Sequence, residues 1–170
     1  MEEELKDYIR RLPKAELHLH LEGSISASCL AALAEKYGTE LAGMTPELLS
    51  QKKFFYEDFG SFLDTYKLVC QHLREPDDYV SVLDDLCAYC AEQNILYAEV
   101  LYAPSIPWKF GRDGSEVLSA LTEHAALCEA RYGVVIRWIL DCVRQFDVVL
   151  AEKTAQLAVD SHSLGVIAVG

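Results

Sequence analysis

The 170 residues are 51% hydrophobic, yet 27 acidic against 15 basic side chains leave a formal net charge of −12. That composition can bury a real core, contains no run uniform enough to span a membrane, and opposes binding to nucleic-acid phosphates or anionic membrane surfaces. A small neutral or cationic ligand suits it better.

The chain opens on Met1-Glu2-Glu3-Glu4, acidic where a signal peptide would be basic, so a cytoplasmic address is expected. An amphipathic helix is predicted over residues 5–12 and is stopped by Pro13. A short, largely buried strand follows over 15–21. Within it Leu17-His18-Leu19-His20-Leu21 alternates imidazole with leucine, which sends both histidines to one face and the leucines into a hydrophobic layer. Two imidazoles so placed can share one metal, although a pair of satisfied strand histidines has the same spacing. Glu22-Gly23-Ser24 ends the strand, putting the pair at its C-terminal tip, where ligands bind in parallel α/β folds.

Ser26 caps a helix over 27–37 that Gly38 closes, and Thr45-Pro46 starts another. A helix over 56–73 carries Phe59, Phe62, Leu63, Tyr66 and Val69 along one stripe. Another runs from Pro76 to about residue 93. This long excursion, 23–94, is expected to cover the mouth of the site as a lid. A second strand, 95–103, is cut off by Pro104 and Pro107; a helix over 115–132, a third strand over 134–142, a helix over 147–162 and a fourth strand over 166–169 complete the order. The six cysteines are scattered and read as reduced thiols, with Cys87 and Cys90 on a buried helix face. His72, His124 and His162 fall in helical segments and read as surface residues.

Strands that alternate with helices and are almost continuously apolar indicate parallel βα units. Both a (β/α)8 barrel and a doubly wound sheet have that order, but no Gly-x-Gly-x-x-Gly follows any strand. Four strands in 170 residues read as the first half of a (β/α)8 TIM barrel, a single N-terminal half-domain over 1–170 that needs a C-terminal half to close it.

The stretch from Leu12 through His18, His20, Glu22 and Gly23 to Ser24 closely resembles the opening of the adenosine deaminase family, within the amidohydrolase superfamily. The likeness continues through Phe59-Gly60-Ser61-Phe62-Leu63, through Tyr97 to Pro104, and into Gly165 to Gly170. It implies a zinc-bearing barrel with one Zn2+ per active site, held in part by His18 and His20. Glu22 matches the acidic position that contacts the ribose 5′ region, and Gly23 the turn beside it. The glycine-rich turn that meets the purine starts at Gly170. The remaining ligands and the proton donor are implied beyond Gly170, so no catalytic acid is assigned within the chain. Leu101 stands where many adenosine deaminases have arginine. The run from Leu140 through Asp141 and Arg144 to Phe146 looks more like relatives that deaminate aminodeoxyfutalosine.

The chemistry agrees with the resemblance. C6 of a 6-aminopurine resists neutral water, whereas zinc lowers the pKa of bound water to about 7. The expected reaction is hydrolytic deamination of an adenosine-like purine nucleoside to its 6-oxo product and ammonia. Alternatives are deamination of aminodeoxyfutalosine or adenine, or an inactive barrel half serving as a binding or assembly module. Phe59, Phe62, Leu63 and Tyr66 read either as a gate over the purine or as core packing. Asp141 and Arg144, at the tip of the third strand, read either as substrate contacts or as a structural ion pair.

Overall fold

The computed structural model describes residues 2–170. Helix α1 (Glu2–Arg11) leads into strand β1 (Lys14–His20); a 3-10 turn (Glu22–Ser24) and helices α2 (Ala27–Tyr37), α3 (Pro46–Lys53), α4 (Phe59–His72) and α5 (Pro76–Glu92) follow. Then come β2 (Ile95–Tyr102), α6 (Ser105–Lys109), α7 (Gly114–Tyr132), β3 (Val135–Leu140), α8 (Val148–Asp160) and β4 (Val166–Val169). The four strands pair in the order β1-β2-β3-β4, all parallel, with helices as the connections. This is the half-barrel arrangement, a curved run of consecutive βα units.

Local chemistry explains the element ends. The Ser26 and Thr45 hydroxyls accept bonds from the Cys29 and Leu48 amides, and Gly38, with φ +57°, closes α2 in the left-handed region. Asp58 and Ser61 form a reciprocal capping box on α4, which therefore starts at Phe59 rather than at residue 56. After β2 the two prolines do not simply break the chain. They sit at the N-cap and in the first turn of α6, where a missing N–H costs nothing.

One core fills the space between the sheet and the outer helices: Leu21 from the end of β1, Leu30 and Leu33 from α2, Val82, Leu83 and Leu86 from α5, and Leu118 and Leu121 from α7. Trp138, Tyr79 and Tyr102 are its largest fully buried rings. Cys87 and Cys90 face this core from α5.

Three expectations need correction. Strand β1 is not largely buried, and Leu17 is 57% exposed. Its pairing with β2 slips between Glu16 and Leu19, which inserts one extra residue on β1 and breaks the alternation there. β1 is also an edge strand of the sheet. Leu19 and Leu21 do pack on the helix side. Next, His72 is buried rather than on the surface, because Thr39 Oγ1 at 2.9 Å and the Leu68 carbonyl at 2.8 Å satisfy its two ring nitrogens. Lastly, the excursion between β1 and β2 is not one lid. α5 is an ordinary crossover helix packed against β2 and α7, whereas α4 reaches the strand tips. No helix among the described residues is long and apolar enough to cross a membrane.

Candidate metal and substrate site

At the tip of β1 the imidazoles of His18 and His20 converge, their ring centroids 5.4 Å apart and their planes 75° to one another. Parallel pairing places His20 beside Leu101 of β2, and Leu101 beside Ile139 of β3. Two residues further along β3, Asp141 brings Oδ2 to 3.6 Å from His20 Nδ1. Its position is fixed by its backbone, since the Asp141 amide donates to the Tyr102 carbonyl at 2.8 Å. β4 delivers Gly170 to the same place. Its amide bonds to the Leu140 carbonyl, and a Cβ there would stand 3.5 Å from Asp141 Oδ1 and from Leu101 Cδ2. Residues from four strands thus meet on the face opposite Leu19 and Leu21.

Glu22 completes the second layer. It is fully buried in the 3-10 turn, where Oε1 accepts from the Ala103 amide at 3.1 Å and Oε2 accepts from the Tyr66 hydroxyl at 3.3 Å. Burial pushes its carboxyl up to about 7, against the pull of its backbone bonds, and the nearby Asp141 charge adds to the rise. In this structure Glu22 ties β1, β2 and α4 together, with both oxygens engaged by the protein. Gly23 lies beneath Tyr66; a Cβ there would stand 3.6 Å from Tyr66 Cε2.

Tyr66 lies between the two layers, 6.5 Å from the His20 ring and bonded to Glu22. Tyr66, which the sequence places in the gate-or-core stripe of α4, is the member of that stripe that reaches the histidine pair. From Tyr66 an aromatic ladder climbs α4: Phe62 is 6.3 Å from Tyr66, and Phe59 stacks on Phe62 at 5.9 Å. Phe59 is 71% exposed, so it is not core, and Leu63 beside it is only half-buried. Arg144 is exposed and forms no ion pair with Asp141 among the described residues, so the structural pairing of those two is not realised.

The donors fit a borderline metal ion. Two imidazoles and a carboxylate on one partly open face are the ligand types that Zn2+ accepts, and no hydrogen bond ties down a ring nitrogen of His18 or His20 among the described residues. Two imidazoles and one carboxylate are fewer than the four donors of a closed tetrahedral shell.

The chain is similar to several known proteins. The model of the adenosine deaminase family matches residues 13–170. An aminodeoxyfutalosine deaminase of Streptomyces coelicolor is 32% identical over 94% of the chain and 41% of its own length, and an adenine deaminase of Vibrio parahaemolyticus is 28% identical over 96% and 48%. Among solved structures, adenine deaminase from Arthrobacter aurescens superposes with a TM-score of 0.81 at 26% identity, over 93% of this chain and 48% of that one. An amidohydrolase from Burkholderia ambifaria with bound Zn gives 0.83 at 21% identity, over 97% and 45%, a likeness of fold. The chain spans less than half the length of these relatives. The family match over residues 13–170, together with the parallel strand order, shows that the chain belongs to the adenosine deaminase family.

Proposed function

We propose that this chain forms the metal-bearing N-terminal half of a hydrolytic deaminase that removes the exocyclic amine of a 6-aminopurine compound. The observation that carries this reading is the convergence of His18 and His20 at the tip of β1, with Asp141 of the β3 tip facing His20. His18 and His20 would hold the zinc ion. When bound, the ion supplies the Lewis acidity that makes water nucleophilic near neutral pH.

The chain's own residues then have defined tasks. Asp141 orients the His20 ring and accepts a proton or a donor from the substrate side. Glu22 and Tyr66 fix the floor beneath it through their shared hydrogen bond. Gly170 leaves room for a flat ring beside Asp141 and Leu101, room that a side chain in contact with both would take up. Phe59, Phe62 and Leu63 form an apolar wall on α4 against which a purine can lie, and Arg144 stays available for a substituent of the sugar. Further strands complete the barrel in this reading. Support for them is the exposed apolar side chains at both sheet edges, Leu17 on β1 and Ile167 and Val169 on β4.

The substrate reading is adenosine-like. A second reading, aminodeoxyfutalosine, is favoured by the relatives of that name at 32% and 31% identity. Ammonia release by the complete barrel from adenosine, adenine, methylthioadenosine and aminodeoxyfutalosine separates these. Turnover of one nucleoside at least tenfold above the rest identifies the substrate, preference for free adenine replaces the nucleoside reading, and no ammonia from any of the four overturns the deaminase proposal.

A further inference from the structure

A separate donor cluster lies in the outer helical layer, where α5 packs on α7. Asp84 projects from α5; His124 and Cys128, one turn apart, project from one face of α7. His124 Nε2 is 3.0 Å from Asp84 Oδ1, and Cys128 Sγ is 4.0 Å from the same oxygen. The three donor atoms all lie within 4.8 Å of one another.

Asp84 Oδ1 also accepts from the buried Cys128 thiol, so a ring nitrogen and a sulfur converge on one carboxylate oxygen while the other oxygen is held separately. Asp84 Oδ2 accepts from the Tyr132 hydroxyl at 3.1 Å and lies 3.7 Å from Arg131 Nη1. Those two groups steady the carboxylate and leave Oδ1 to the histidine and the thiol, as outer partners do for metal-binding carboxylates. Ligands bonded at about 2.0–2.3 Å to one tetrahedral ion stand roughly 3.3–3.7 Å apart, and the two separations here bracket that spacing.

We propose that Asp84, His124 and Cys128 form a second cation site, for a borderline-soft divalent ion of the Zn2+ type, with water as fourth donor. One nitrogen, one sulfur and one oxygen donor select such an ion over Mg2+ or Ca2+. Loading forms a metal–sulfur bond, breaks the S–H bond of Cys128 and sends that proton to solvent, with no change of oxidation state. The carboxylate and thiolate neutralise the ion, which suits a partly buried position. The ion would clamp α5 to α7 on the opposite side of the sheet from His18 and His20.

Cobalt tests this, because a thiolate-to-cobalt charge-transfer band needs a cysteine ligand and the β1 histidines cannot produce one. Metal-stripped protein titrated with Co2+ should develop that band, lose it on adding Zn2+, and keep it when His18 and His20 are both replaced by alanine. Cys128→Ser should abolish the band, and His124→Gln should weaken cobalt binding at least tenfold, with circular dichroism confirming the fold of each. A variant that fails to fold leaves the other, and the unaltered protein, to decide. Absence of the band in the unaltered protein overturns the proposal, as does an undiminished band in folded Cys128→Ser.

Discussion

Two polar clusters in this molecule are treated in opposite ways. In the outer layer Asp78, on α5, is 1% exposed and saturated: Lys36 Nζ and the Tyr37 hydroxyl donate to it at 2.6 Å, and the Arg74 and Glu75 amides at 2.8 Å. At the strand tips His18 and His20 have no such partners among the described residues, and His20 has only Asp141 at 3.6 Å. Groups that hold the fold are satisfied by the protein itself. Groups left unsatisfied on an open face are available to a ligand, and their placement reads as function.

Replacing His20 by alanine breaks this contrast most severely. The fold should survive, since the His20 ring lies outside the core cluster, while kcat/KM for ammonia release should fall by about a thousandfold or more, roughly 4 kcal/mol. Steady-state assays beside circular dichroism check both halves of that statement.

Asp78→Asn is the opposite experiment. Asparagine keeps one oxygen, so either Lys36, which donates to Oδ1, or the Tyr37 hydroxyl and two amides, which donate to Oδ2, lose their acceptor, and urea titration should show a loss of about 2 kcal/mol. Burial pushes the Asp78 carboxyl up, but the bonds from Lys36, Tyr37 and the two amides outweigh it and hold the group below the ordinary aspartate value. A depressed folded-state pKa gives stability that is present above the unfolded value and lost as pH falls through the folded one. The gap between wild type and Asp78→Asn should therefore be full above about pH 4 and close below it.

Glu22→Gln probes the buried joint beneath the site. Glutamine can still accept from the Ala103 amide, so the expected change is smaller, about 1 kcal/mol in kcat/KM, read mainly as a higher KM. Phe59→Ala should have the least effect on the fold, within about 0.5 kcal/mol by urea titration, because the ring is exposed. A KM raised severalfold with kcat unchanged would mark Phe59 as a binding wall; an unchanged KM would remove it from the site.

What the sequence made legible was local. Caps at Ser26 and Thr45, the left-handed Gly38 and the His-x-His alternation depend on residues within a turn of one another. The extra residue on β1 that exposes Leu17 depends on pairing with a strand some 80 positions away, and no local pattern announces it. His72 misled for a similar reason, because its acceptor and donor come partly from Thr39 on the chain after α2. Tyr66 carried a weak signal, four residues after Phe62 on the same helix face, yet only the fold brings it to Glu22 and His20. The cluster of Asp84, His124 and Cys128 joins residues about 40 apart that meet only because α5 packs on α7.

The central claim is that His18 and His20 hold a metal ion. It is tested most directly by metal analysis in a Cys128→Ser background, where the α5–α7 cluster cannot hold an ion through Cys128. The Cys128→Ser protein should retain close to one equivalent of zinc, and adding His20→Ala should remove it while the circular dichroism spectrum is unchanged. Full zinc occupancy in the folded double variant would contradict the account.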